Sequence, residues 1–310
     1  MLNCRVTSAL VEFQNHINEK LPIQEIHHPL AHEHGIDLKI LRLDQTHAEV
    51  SGNKWFKLKY NLIEAKKLGF KKILTFGGAF SNHIYAVASA GKLFGFETIG
   101  VIRGEAHEDL NPTLQHAFAC GMHLHYLDRA TYRRKAEPDV LKTLQSEFGE
   151  FFLIPEGGTN VLALKGAQEI TGHFTEPFDY YCLPVGTGGT IAGIISGLKN
   201  QGQVLGFSAL KGDFLEEEVR QLLTYANAKE VTNWSINTDY HFGGYAKTTH
   251  ELIDFIRTIE SEYSLPIEPI YTGKMLFGVL DLIDKNHFLK GSKILLIHTG
   301  GLQGRAGFNL

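Results

Sequence analysis

Ser51-Gly52-Asn53-Lys54 runs straight into Trp55-Phe56-Lys57-Leu58, so a lysine stands at the head of an amphipathic segment. Trp55, Leu58, Leu62 and Ala65 recur at i, i+3, i+7 and i+10, which puts them on one face of a helix and turns Lys57, Lys59, Lys66 and Lys67 elsewhere. An ammonium in a first helical turn meets the positive end of the helix dipole, and that repulsion lowers its pKa, as an amine nucleophile requires. The bland alternative is a solvated lysine in a lysine-rich helix, and the surrounding loops must decide between them.

Four apolar runs end in paired glycines beside small hydroxyl or amide residues: Gly77-Gly78-Ala79-Phe80-Ser81-Asn82-His83, Pro155-Glu156-Gly157-Gly158-Thr159-Asn160, Gly186-Thr187-Gly188-Gly189-Thr190 and Thr299-Gly300-Gly301. The third can bring several N–H groups and two hydroxyls onto one phosphate, because glycine lets the backbone approach and the following helix adds its positive end. A plain strand-to-helix turn is the competing reading of so short a motif. A dinucleotide fingerprint would need a glycine where Ile191 stands, so a monophosphate fits better than a pyrophosphate. Ser81-Asn82 also suits the cap of a helix beginning there.

These loops need strands and helices to hold them. Lys72–Phe76, Thr98–Ile102, His123–Leu127, Phe151–Ile154, Tyr180–Val185, Val204–Ala209 and Lys293–His298 read as short strands, mostly separated by amphipathic stretches, which predicts βαβ units and mostly parallel sheets. At 310 residues, one large or two interleaved α/β domains are expected. The 32 glycines exceed the usual share of about 7%, while only 9 prolines accompany them, which points to ordered turns. The net charge of −4 offers no footprint for nucleic acid, and no apolar run is long enough to span a membrane. Cys4, Cys120 and Cys182 form no CxxC pair, and the N-terminus lacks a signal-peptide pattern, so a soluble cytoplasmic protein is expected. His27, His28, His32 and His34 invite a metal reading, but Pro29 interrupts any regular ligand face and no cysteine joins them; no metal is expected.

As a set, SGNKWFKLKYNL (51–62), GGAFSNHIYAVASAG (77–91), PVGTGGTIAG (184–193), GGYAK (243–247), YTGK (271–274) and HTGG (298–301) resemble the fold-type II pyridoxal-phosphate enzymes. Within these, the resemblance is to the family of 1-aminocyclopropane-1-carboxylate (ACC) deaminase and D-cysteine desulfhydrase, and it covers most of the chain. It implies an α/β fold of two open, twisted, mostly parallel sheets flanked by helices, like tryptophan synthase β. Residues 1–50 plus 158–310 would form the larger, cofactor-binding domain and 51–157 the smaller, with the active site between them. The resemblance further implies pyridoxal 5'-phosphate as cofactor and a homodimer. Lys54 would form the internal Schiff base and then move protons. Asn82 would bond the phenolic oxygen, and Ser81 and His83 would help hold the substrate carboxylate. Gly186, Thr187, Gly188, Gly189 and Thr190 would cradle the phosphate, Thr299 would face the pyridine nitrogen, and Tyr245 and Tyr271 would be the active-site tyrosines. Both tyrosines could instead be core aromatics.

ACC deaminase carries Tyr-Glu-Gly-Lys where this chain has Tyr271-Thr272-Gly273-Lys274, and Ser-Asn-Gln where it has Ser81-Asn82-His83. Both departures point toward the desulfhydrase branch, hence α,β-elimination from a small amino acid to a keto acid and ammonia, with Ser81 in the site and Tyr271 or Tyr245 as auxiliary acid or base. Phe56 and Phe80 replace an arginine and a glutamine usual in the family, which removes polar groups near the lysine and the carboxylate loop. ACC opening, a nicotinamide-dependent oxidoreductase and a non-catalytic α/β binding protein are the alternatives; the last would have no use for Lys54.

Overall fold

The computed structural model describes residue 17 and residues 20–106, 108–308 and 310; Cys4 and the N-terminal residues 1–16 of the expected larger domain lie outside these. Among the described residues the chain builds two sheets. Their strands, in chain order, are β1 (Ile23–Glu25), β2 (Asp37–Arg42), β3 (Lys72–Gly77), β4 (Glu97–Arg103), β5 (His123–Leu127), β6 (Phe152–Ile154), β7 (Tyr180–Val185), β8 (Gln203–Ser208), β9 (Trp234–Asn237) and β10 (Lys293–His298).

One sheet runs β5-β4-β3-β6 and is wholly parallel; the other runs β1-β2-β10-β7-β8-β9, with only β1 antiparallel. Strand order reverses between β3 and β6 in the first sheet and between β7 and β10 in the second. Such reversals open a crevice at the carboxyl ends of the strands, because the two connecting chains leave in opposite directions. All four glycine-pair loops follow these four strands.

Helices fill the space between. The helix Gly189–Leu198 is buried almost all round through Ile191, Ala192, Ile194 and Ile195, and each such isoleucine contributes about 1.5–3 kcal/mol. That anchorage holds the N-terminal turn of this helix at the crevice. The helix Asn53–Lys67 is enclosed on most sides too. Trp55, Leu58, Leu62 and Ala65 are in the core as the periodicity predicts, but Lys57 and Lys59 do not point into solvent: they are 2% and 8% exposed. Lys59 and Tyr60 both bond Glu169, and a Cβ on Gly166 would lie 1.8 Å from the Phe56 carbonyl oxygen, so a second helix packs backbone-close against this face.

The histidine cluster spreads around a five-residue helix, Pro29–Glu33, begun by its proline. His28 Nδ1 accepts from the Leu30 N–H and His34 meets Asn286, so its members serve local structure. Cys120 and Cys182 are free thiols.

Candidate active site

The crevice holds a cavity of about 290 Å³, and every residue predicted for the site lines it: Lys54, Ser81, Asn82, His83, Gly186 to Thr190, Tyr245, Tyr271 and Thr299. Two loops fix Lys54. Gly52 precedes its helix with φ 67° and ψ −148°, and the Asn53 N–H donates to the Thr299 carbonyl at 3.1 Å, so the turn after β10 seals the start of the helix. Lys54 Nζ donates to Asn53 Oδ1 at 2.9 Å. Desolvation lowers its pKa to about 8, opposed by the Glu268 carboxylate. The dipole argument anticipates the direction; burial is the larger cause.

The loop after β7 forms an anion cradle. Gly188, at φ 74°, starts the helix Gly189–Leu198 without a side-chain cap, which leaves its first N–H groups open. Lys57 Nζ donates to Thr159 Oγ1 at 2.8 Å and to Thr187 Oγ1 at 3.3 Å, while Asn53 Nδ2 holds Thr190 Oγ1 at 2.8 Å. A Cβ on Gly189 would come within 2.9 Å of Thr159 Oγ1 and 3.1 Å of Lys57 Nζ, so any side chain there would fill the cradle. Desolvation, and then the charge of Lys54, hold Lys57 well below the usual lysine range, a penalty that a bound dianion would relieve.

Opposite stands the helix Asn82–Phe94. Ser81 Oγ caps it, accepting from the His83 and Ile84 N–H groups at 3.2 and 3.3 Å. Gln303 Nε2 donates to Asn82 Oδ1 at 2.9 Å and so aims the other end of that amide. Thr75 Oγ1 gives its hydrogen to the Ile154 carbonyl and therefore accepts from His83 Nε2–H, each at 2.8 Å; this fixes the tautomer and leaves the buried His83 Nδ1 a bare acceptor. Burial, then Lys54 and Lys57, push the His83 pKa far down, so the ring is neutral and in this tautomer offers a carboxylate no donor. The groups of this loop that could donate to an anion are the Ser81 hydroxyl and the Asn82 amide and N–H.

Tyr245 and Tyr271 meet edge to face at 6.2 Å across the cavity mouth. Burial raises both phenol pKa values, that of Tyr271 strongly, so both stay protonated. Beneath them the buried Glu268 accepts from the Ile270, Tyr271 and Thr272 N–H groups at 2.6–3.1 Å, which holds Tyr271 at the start of its helix; desolvation lifts its carboxyl to about 7 against those bonds. Thr272 is fully buried behind the tyrosine and does not line the cavity. Nor does Phe56, which packs edge-on against His173 at 5.7 Å: its replacement of arginine alters the core, not the polarity around Lys54 as the sequence suggests.

Sequence reading misses Lys57, Glu268, Gln303 and Arg103. Lys57 lies one helical turn beyond Lys54, a spacing at which two side chains share a face, and that is the signal the apolar stripe obscures. Gln303 and Arg103 come from distant segments and carry no local signature, whereas Glu268 stands three residues before Tyr271, a spacing at which a carboxylate can cap the helix start that follows.

A family model described as pyridoxal-phosphate dependent enzyme matches residues 20–300. The bifunctional D-cysteine desulfhydrase/1-aminocyclopropane-1-carboxylate deaminase of Arabidopsis thaliana is 32% identical over 294 residues, covering 87% of this chain and 73% of the relative. The D-cysteine desulfhydrase of Klebsiella pneumoniae is 25% identical over 293 residues, covering 86% and 87%. The crystal structure of an ACC deaminase homologue matches with a TM-score of 0.82 at 28% identity, covering 98% of this chain and 97% of that one. With a desolvated lysine facing a phosphate cradle in the same crevice, the chain belongs to the pyridoxal-phosphate dependent enzymes, in the family of ACC deaminase and D-cysteine desulfhydrase.

Proposed function

We propose that the protein catalyses α,β-elimination and deamination of a small amino acid, in the manner of D-cysteine desulfhydrase, releasing a keto acid and ammonia. The observation that carries this reading is the amine of Lys54, desolvated and lying between an anion cradle and a capped helix start. Pyridoxal phosphate suits these residues: the Gly189 cradle has room for a phosphate and no side chain, and its donors are a lysine, three threonine hydroxyls and open backbone N–H groups. Bound there, it supplies an aldehyde that takes up the amino group and a ring that accepts the electron pair left at Cα.

Lys57, Thr187, Thr190 and the N–H groups of Gly188 and Gly189 would hold the phosphate. Asn82, aimed by Gln303, would hold the phenolic oxygen, and Thr299, whose hydroxyl cannot enforce protonation, would face the ring nitrogen. Ser81 and Asn82 hold the substrate carboxylate. Lys54, neutral near pH 8, takes the Cα proton. Tyr271 and Tyr245, kept protonated by burial, serve as proton donors to the departing β-substituent rather than as bases. His83 supports the loop, bonded behind it to Thr75. The same reading takes residues 51–157 as the smaller domain, in agreement with β3 to β6 all lying within it, and residues 1–50 plus 158–310 as the larger. A cytoplasmic homodimer rests on the family resemblance alone.

The reaction is tested by incubating the holoenzyme with D-cysteine, L-cysteine, β-chloroalanine and ACC and measuring keto acid. Release from the β-substituted amino acids ahead of ACC is expected; ACC turnover exceeding all of them would overturn the elimination reading. The pKa of Lys54 gives a second expectation. Only the neutral amine attacks an aldehyde, so the rate at which apoenzyme regains its visible band should rise with pH, pass half its maximum near pH 8 and level off above that. A rate still climbing steeply toward pH 10 would mean an ordinary, solvated lysine.

A further inference from the structure

The cavity is lined by the cations Lys54, Lys57 and Arg103, and the first two have assigned work. Arg103 ends β4, next in the sheet to the strand that delivers the Gly77–His83 loop. The following Gly104 N–H donates to the Leu127 carbonyl at 2.8 Å, so the strand end is pinned. The guanidinium overhangs the loop, its Nη2 lying 3.8 Å from where a Cβ on Gly78 would stand. Among the described residues the Arg103 guanidinium makes no hydrogen bond or ion pair, and Tyr132 and Tyr245 lie near enough to feel its charge.

The acids that line the cavity are Glu49, whose carboxylate lies within 4.8 Å of the ligand atoms of His116 and Cys120, and Glu156. The two oxygens of Glu156 are already engaged, Oε1 by the Tyr132 hydroxyl at 2.9 Å and Oε2 by Lys135 at 3.0 Å. An exposed guanidinium beside the substrate loop, with no ion-pair partner among the described residues, is a ready receptor for a carboxylate, sulfate or phosphate. The cofactor phosphate belongs to the cradle of Lys57, and the substrate α-carboxylate to Ser81 and Asn82. What remains for Arg103 is a second negative charge on the substrate.

We propose that Arg103 is a specificity-determining residue that binds an anionic group on the substrate β-substituent, so that the pocket favours amino acids such as serine O-sulfate or O-phosphoserine over neutral ones. This rests on the elimination reading. In that reaction the Cα–H and Cβ–O bonds break, the proton passes to Lys54, the bonding pair leaves with the sulfate or phosphate, and Cα=Cβ forms. One water then converts the released enamine to pyruvate and ammonium, with no oxidant or reductant needed.

The test measures kcat/KM of the holoenzyme for both enantiomers of serine O-sulfate, O-phosphoserine and β-chloroalanine, in wild type, Arg103→Met and Arg103→Lys, with cofactor content read from the visible band. The ratio of anionic to neutral substrate should fall about 10- to 100-fold in Arg103→Met, the worth of a charge-assisted contact, chiefly through KM, and recover in part in Arg103→Lys. An unchanged ratio, or a uniform loss on every substrate, would overturn the assignment while leaving elimination intact. Absence of keto acid from every substrate with cofactor bound would overturn both.

Discussion

Replacing Lys54 with alanine is expected to lower turnover by roughly ten-thousand-fold or more, because one side chain supplies both the covalent anchor and the proton-transferring base. The wild-type holoenzyme should be yellow, its band should vanish on borohydride reduction, and the label should map to Lys54. The cradle of Lys57, Thr187 and Thr190 does not depend on Lys54, so Lys54→Ala should still take up the cofactor through its phosphate. Lys57 is the rival amine: it is also buried and its pKa is likewise lowered by desolvation. Geometry separates them, since Lys57 Nζ is occupied by two threonine hydroxyls whereas, among the described residues, Lys54 Nζ donates to its neighbour Asn53 alone. Borohydride labelling of Lys57, or turnover of Lys54→Ala within tenfold of wild type, would reverse the assignment.

The parts of this site that the sequence reveals are those encoded by neighbouring residues. Val185 to Thr190 and Phe76 to His83 can be read because a strand, a glycine pair and a helix cap follow one another within a few positions, and the central parallel strands β3, β4, β7, β8 and β10 have the apolar run that a sheet covered on both faces demands. Three strands escape for physical reasons. Ile23–Glu25 and Trp234–Asn237 are short edge strands. Asp37–Arg42 carries charges that break its apolar run: Lys39 meets the distant Glu176 at 2.7 Å, and Arg42 pairs with Asp44, just beyond the strand, at the same distance. Periodicity reports the angle between side chains, not which faces the rest of the molecule will cover. Hence the apolar stripe of the Lys54 helix is correctly found, while for Lys57 the pattern says only that it lies off that stripe and not that it faces the cradle. Gln303 reaches Asn82 from a distant segment and Arg103 enters the cavity from the end of another strand, relations that have no spacing to read; Glu268 instead acts on the N–H groups two to four residues on, a local pattern that the sequence reading passes over.

The contact between Gly52 and the Thr299 turn supports the second large prediction, Gly52→Ala. At φ 67° and ψ −148° this residue occupies a region of backbone space that is essentially glycine's alone. A Cβ would also lie 2.0 Å from the Thr299 carbonyl oxygen and 2.7 Å from Gly300 Cα, and both obstacles are backbone. Neither can swing aside without breaking the Asn53 N–H bond to Thr299 that seals the Lys54 helix. Strain and overpacking together should cost about 3–5 kcal/mol, lowering Tm by roughly 10 °C. Because the same turn carries Thr299 and the same helix start carries Lys54, cofactor content should fall with stability. Gly69→Ala is the control: it also has positive φ, 81°, but open space within 4 Å, so it should cost only about 1–2 kcal/mol and keep its cofactor. Equal losses in the two variants would show that conformation alone matters at Gly52. A larger loss at Gly52, with cofactor lost alongside, would identify the meeting of these two turns as the joint that holds the nucleophile in place.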